Sequence, residues 1–513
     1  MSSLDVKSFR TRDVENAAQR MARNALTHLP ANTMLVDPTR ADALYETVSN
    51  ELDIDTKPAN QQRSGRCWIF AFLNMLRVHI IRRYDLPREF ELSASYLFFW
   101  DQLEKSHQFL WYVIALRELP SDHAYMRHLL ENPVSDGGQW HMLRNIVRKY
   151  GVIPQHCMQE TYQTNHTRFL NDTLCGKLRE FAHALRTKHR HHAKDGEPLQ
   201  NVITSMMHTI YGIISRCVGE PPSTIVWEYY KTKGHAKRRA PSASKTKKYR
   251  CTKRITPIEF YQKHVVGTDT AANVDNYVCV INYPRTQRPF YRMYTLRYMN
   301  NMVGGDEPEM LNLPVRDLQL LVRRAIDDER PVWFACDVSK DSSAKLGIMD
   351  PRSFQYTALM GEPRTALCKG DRMEYRDGSP SHAMLILGYH ISHPRGLSAG
   401  GGSRRGGSRR GSRRGGSRRA SSRRKSDPKP SKVQDDKRGK QGKQVERWRV
   451  ENSWGEVGAK KGVLMMSNEW FEEHVYSIVV PRSLVRREWG QAHRRDTIHL
   501  EPWDIFGNLF RKT

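Results

Sequence analysis

The sequence predicts an α+β fold, and three observations carry that prediction. Helical periodicity fills the first part of the chain up to about residue 190, whereas alternating and apolar strand runs begin only near residue 275. Helices followed by strands, rather than helices and strands in alternation, mark segregated helical and sheet layers. The third observation is charge. The 513 residues carry a formal +28, yet 398–444 hold 17 Lys/Arg against 3 Asp, and 231–254 hold 11 Lys/Arg with no acid. The rest of the chain is left with +3, close to neutral, and 38% hydrophobic residues suffice for a core.

Taken in order, residues 67–83 read as a helix, with Ile69, Phe72, Leu73, Leu76 and Ile80 at i, i+3, i+4, i+7 and i+11. A helix-rich stretch follows from Ser93 to Leu130, and 139–190 continue mainly helical. Strand signals then appear in YVCVINY (277–283), PVWFACDV (331–338) and SHAMLILGY (381–389). In RWRVENSW, Trp448, Val450 and Asn452 alternate with Arg447, Arg449 and Glu451, the pattern of a half-buried strand; KGVLMM (461–466) reads as its hairpin partner. Between the last two strands that bear chemistry, Ser-Arg-Arg occurs five times among glycines. Such a segment cannot build a core and is expected to be a disordered surface loop, as is the shorter basic stretch 231–254.

Eight scattered cysteines without a CxxC pair argue against structural zinc and against a disulfide scaffold. The charged opening MSSLDVKSFRTRDVE has no apolar leader, and no window approaches the roughly 18 apolar residues of a membrane span. A cytoplasmic chain with no membrane partner is therefore expected.

Three residues have the properties of a thiol catalyst. Cys67 opens a helix, whose N-terminus favours a thiolate. His382 starts a strongly apolar strand, where an unpaired ring would be costly. Asn452 lies on the interior-parity face of the next convincing strand and can hold an imidazole in one tautomer, with Trp454 following on the same face. Each has a plainer reading alone: a thiol that packs, a structural histidine, an asparagine that satisfies backbone groups. Their joint order and local wording decide.

Gln61-Gln-Arg-Ser-Gly-Arg-Cys67-Trp68, SHAMLILGY and VENSWGE, in that order, resemble the active-site segments of papain-like cysteine peptidases. Ser64 and Arg66 depart from the C-G-[SA]-C-[WY] spelling, and His382 comes 315 residues after Cys67 instead of the ~130–150 of the short secreted enzymes. Together with SYLFFWDQLEK, NPVSDGGQWHMLRNIVRKYGVIP, ITPIEFYQKHV, NNMVGG, VWFACDV and EPWDIFG, these blocks resemble the bleomycin hydrolase subfamily over roughly residues 60–508.

The resemblance implies a papain-like two-lobed core with a large helical insertion and a C-terminal arm in the cleft. It divides the chain into a helical segment (1–60), a helical lobe with insertion (61–230) and a basic insertion (231–254). An oligomerisation element and the start of the strand-rich lobe with His382 follow (255–397), then a Ser-Arg-Arg-rich insertion (398–444). The end of that lobe with Asn452 (445–500) and an arm (501–513) complete the chain. It further implies Cys67 as nucleophile, His382 as base and then acid, and Asn452 as ring orienter. Gln61 and the Cys67 N–H would form the oxyanion hole, Gly137 and Gly138 would pair with substrate backbone, and Trp454 would act as a shield. Asn508, Leu509 and Thr513 would form a C-terminal gate that admits peptides with a free amino terminus. A homohexamer is implied, and no cofactor or metal. Phe510-Arg511-Lys512-Thr513 make the ending longer and more basic than the resemblance leads one to expect, which predicts trimming or altered activity. The competing reading is a nucleic-acid-binding or scaffold protein that uses 231–254 and 398–444, with peptidase activity reduced or altered; neutralised phosphates would carry the binding, and the lack of any aromatic residue in 398–444 removes base stacking.

Overall fold

The apolar spacing after Cys67 produces the expected helix, α1 (Cys67–Tyr84), which ends at Asp85 in a left-handed conformation. The computed structural model describes residues 17–53, 56–191, 199–231, 248–268, 270–391, 444–486, 488–489 and 496–510. α2 (Ala94–Ala115) starts where the Ser93 hydroxyl accepts the Tyr96 N–H. The helix-rich stretch expected over 93–130 is two helices, since the chain breaks after Leu116 and restarts at Ala124–Glu131. Pro120 falls in the break, where it cannot donate to a helical ladder. α3 (Trp140–Tyr150), α4 (Arg168–His191) and α5 (Leu199–Val218) follow, with α4 and α5 packed on α2.

The strand-rich part forms one large sheet. Its main strands are β1 (Tyr277–Ile281), β2 (Arg292–Leu296), β3 (Met310–Asn312), β4 (Val332–Cys336) and β5 (His382–Ile391), then β6 (Val445–Glu451), β7 (Val463–Ser467), β8 (Val475–Pro481) and β9 (Ile498–Leu500). They lie in the order β9-β2-β3-β1-β8-β4-β5-β6-β7, with the two-residue strands Ile348–Met349 and Ser342–Ser343 beyond β7. β4 is buried along its whole length between antiparallel β8 and β5, as a near-continuous apolar run requires. In the β4–β5 register His382 faces Cys336. Asn50–Glu51 extends the same edge of β5 at Gly388–Tyr389, and β6 runs along its other side.

β6 differs from its alternating pattern. Arg447 and Glu451 were expected on the wet face, but both are buried; Arg449 alone of the three is partly exposed. That face is covered by residues 47–53 and 56–57 and by α1: Arg447 Nη2 donates to Thr47 O at 2.8 Å, and Glu451 binds Asn74 and Arg77 of α1. The hairpin partner is as expected, with Glu451 opposite Val463 in β7. The basic stretch expected to be a loop over 231–254 is entered and left by an antiparallel pair, Glu228–Lys231 with Lys248–Cys251, in which Tyr230 faces Tyr249. Residues 232–247 lie outside the described residues, as do 392–443, which include nearly all of the Ser-Arg-Arg segment.

Candidate active site

Cys67 is the first residue of α1, after Arg66 with φ −82° and ψ 17° and no side-chain cap. The unshared N–H groups of the first turn therefore lie at the thiol, where they favour negative charge. Cys67 is 1% exposed, with Sγ 3.8 Å from Gly65 O. The two departures in this loop explain each other. Arg66 turns away from the thiol and is fully buried, with Nη2 2.7 Å from Glu160 Oε2 and its guanidinium over Phe70 and Phe98. Its Nε donates to Ser64 Oγ, which in turn donates to Gln61 O at 2.6 Å. Burial alone would raise the Glu160 pKa, but Arg66, joined by hydrogen bonds from Thr164 and Ser95, outweighs it and holds the carboxyl below its usual range.

Gln61 is buried and doubly held. Its Nε2 donates to Ser64 O at 2.6 Å, and its Oε1 accepts from Ser453 Oγ at 2.6 Å. An amide nitrogen has two N–H bonds, so the Ser64 contact uses one of them.

His382 is 1% exposed at the head of β5, and its Nε2 lies 2.9 Å from Asn452 Oδ1. Asn452 Oδ1 also accepts the Ser453 backbone N–H at 2.8 Å. A backbone N–H can only donate, so it fixes the amide with its oxygen toward the ring, and Nε2 must carry the proton. Nδ1 is thereby the basic nitrogen. Asn452 stands one residue past β6, its own N–H bonded to Gly462 O. The Trp454 ring lies 5.0 Å from that of His382, tilted by 33°.

The glycine segment is held from beneath. Gly65 N donates to Asp136 Oδ2 at 2.5 Å, and a Cβ on Gly65 would collide with that carboxylate. Trp68 Nε1 donates to Asp136 O at 2.8 Å. A Cβ on Gly138 would come within 2.6 Å of the Trp68 ring, so the close approach at this glycine is to a tryptophan of the fold itself. Lys105 Nζ, 1% exposed on α2, donates to Gly137 O at 2.6 Å, Ser135 O at 3.1 Å and Asp101 Oδ2 at 2.6 Å. Burial pushes the Asp101 carboxyl up to about 6 against the pull of Lys105, and pulls the Lys105 ammonium down. A cavity of about 800 Å³ opens beside this loop, lined by Gln62, Arg63, Ser135, Asp136, Asn171 and Arg179 among others.

The last described residues reach the same place. Ile505 and Phe506 are buried, and Phe506 O accepts from Gln139 Nε2, next to Gly138. Trp503 lies 5.3 Å from Tyr125, and Asp504 Oδ2 accepts from Tyr283 OH at 3.0 Å. Asn508 and Leu509 belong to the turn Ile505–Phe510, whereas Thr513 lies outside the described residues.

The geometry therefore shows a thiol at a helix N-terminus, an imidazole fixed by an asparagine, and the Phe506 segment bonded next to the glycine pair. A family model described as Peptidase C1-like family matches residues 1–397 and 433–507. The chain belongs to that family. The unmatched stretch contains all five Ser-Arg-Arg repeats. Among relatives, bleomycin hydrolase of Homo sapiens is 36% identical over 452 residues, covering 88% of this chain and 85% of the relative. Aminopeptidase C of Listeria monocytogenes is 31% identical over 473 residues, covering 92% and 90%. The crystal structure of PepW from Lactobacillus rhamnosis HN001 superposes with a TM-score of 0.82 at 28% identity, over 99% of this chain and 98% of the other. This member of the family is a cysteine-type aminopeptidase of the bleomycin hydrolase branch.

The sequence reading missed the supports of this site. Lys105 and Asp101 sit four apart in α2, a helix whose Asp, Glu, Lys and Gln side chains are all buried, and Asn74 and Arg77 interrupt the apolar run of α1. Polar residues on a helix with no wet face were the available signal.

Proposed function

We propose that Cys67, His382 and Asn452 are the catalytic residues of this aminopeptidase. The observation that carries the reading is the His382 Nε2–Asn452 Oδ1 bond beside Trp454, at the head of the strand paired with β4. His382 Nδ1 takes the Cys67 proton as Sγ attacks the carbonyl carbon of the first peptide bond. The developing oxyanion is met by the Cys67 N–H and by the Gln61 amide. The tetrahedral species collapses to a thioester as the C–N bond breaks, and His382 gives its proton to the departing amine. Water, deprotonated by the same nitrogen, then hydrolyses the thioester. Trp454 keeps bulk water from the His–Asn bond, and Gly137 and Gly138 align the substrate backbone.

Phe506 on Gln139 supports a C-terminal arm, with Asn508, Leu509 and Thr513, that closes the amino side of the cleft. Substrates would then be peptides and aminoacyl amides with a free amino terminus. A homohexamer and a cytoplasmic location belong to the same proposal. The test is hydrolysis of fluorogenic aminoacyl amides with free and blocked amino termini, beside Cys67→Ala. Cleavage of the free-amine substrates only, abolished in the variant, is expected. Activity surviving in Cys67→Ala would overturn the triad, and cleavage of blocked substrates would overturn the gate.

A further inference from the structure

Three segments that carry the site meet at one buried carboxylate that the reaction does not use. Glu451 is 5% exposed and directly precedes Asn452. Its Oε1 accepts from Asn74 Nδ2 at 2.7 Å and from Arg77 Nη2 at 3.3 Å, both on α1 behind Cys67. Its Oε2 accepts from Thr56 Oγ1 at 3.0 Å, and Arg77 Nη2 also donates to Lys57 O at 2.8 Å. Thr56 and Lys57 lie on the chain that leads to Gln61. Glu91 completes the surroundings, 4.0 Å from Arg77 Nη1. The nucleophile helix, the Asn452 strand and the Gln61 segment thus share one anchor.

A buried ion pair is a poor source of net stability, since an apolar replacement of equal volume often does as well. What such a pair supplies is direction: charge-assisted bonds are short and oriented. The thiol sits on α1 and the imidazole on β5, so their separation depends on how α1 seats against β5 and β6. We propose that Glu451 is a positioning residue for the Cys67–His382 pair, acting through Asn74 and Arg77 on α1 and Thr56 before Gln61. The inference rests on the triad reading.

The test uses the full chain, with Glu451→Gln and the milder Asn74→Ala. Three quantities are read: kcat, KM, and the pH dependence of iodoacetamide alkylation at Cys67, mapped by peptide mass because Cys251 and Cys368 are exposed. In Glu451→Gln, kcat falls about a hundredfold with KM within about threefold, the loss expected when reacting atoms are misplaced by about an ångström. The acid limb of alkylation moves up toward the ~8.5 of an ordinary thiol. Asn74→Ala keeps the ion pair and shows the same changes at about tenfold, which preserves the test if Glu451→Gln does not fold. A purely structural role would lower the melting temperature and leave the alkylation limb unmoved. A folded variant with wild-type kcat and an unmoved limb overturns the proposal. Should wild type itself lack a shifted Cys67 limb, the triad reading fails instead.

Discussion

The two ends of the β5–β6 pair are built to opposite standards. At one end His382 and Asn452 are 1% and 2% exposed, bonded to each other and flanked by Trp454. At the other, Ile391 faces Val445 after a shift in register, and the chain between them includes the stretch the family model does not match. His382 and Ile391 bound a ten-residue strand, which at ~3.3 Å per residue separates the ends by about 30 Å. One pair of strands thus holds the His382–Asn452 bond in fixed geometry and still admits a long insertion, because the insertion joins where little depends on register.

The sharpest test of this contrast is at the buried end. His382→Ala should lower kcat/KM on a free-amine aminoacyl amide by about 10⁴-fold, and Asn452→Ala by a smaller factor of about 10². Equal small losses would mean that this end is not the reacting one. Next comes the floor of the glycine segment. Lys105→Met should cost about 3–5 kcal/mol in urea unfolding, because it leaves Asp101 buried without its partner. Pairing it with Asp101→Leu should recover most of that loss; no recovery would show that Lys105 does not act through Asp101.

A smaller effect is expected at His141, which is buried with Nε2 3.1 Å from Met299 O, beneath the C-terminal segment. Burial pulls its pKa down to about 3 from the ordinary 6.5. Below 6.5 the unfolded chain takes up a proton that the native ring refuses until about 3. Its contribution is therefore complete above 6.5 and is lost progressively as pH falls through that window. His141→Gln, which can still donate to Met299 O, should flatten the acid side of a melting-temperature profile; an unchanged slope would exclude the ring. The least effect belongs to the open end. Deleting 398–432 should leave kcat/KM within about twofold while lowering the salt needed to elute the protein from a polyanion column. A large loss of activity would erase the distinction between the two ends.

Much of the fold was legible in the sequence because period and order survive without contacts. The α1 spacing, the apolar run of β4 and the β6–β7 hairpin could all be read directly. Arg447 and Glu451 were not, since alternation reports burial only when one face of a strand meets water, and α1 with residues 47–53 and 56–57 covers the second face. Lys105 with Asp101 has the i,i+4 spacing of an exposed helical pair, and only the lack of a wet face on α2 marks it as interior. Tyr230 and Tyr249, in the hairpin bordering the 231–254 stretch, were outweighed by the surrounding charge. The proposed triad positions were legible as segments; the bonds that hold them join residues 70 apart, as in His382–Asn452, or 392 apart, as in Gln61–Ser453.

Arg66 has a consequence for engineering substrate scope. A residue next to the proposed nucleophile is an obvious choice for a randomised library, yet this guanidinium lies against Glu160, Phe70 and Phe98 with none of its side chain lining the cavity. Diversity placed there would mostly yield collapsed loops. Arg63, which is exposed, and Asn171 line that cavity outside the Arg66–Glu160 contact, so variation placed there spares the foundation.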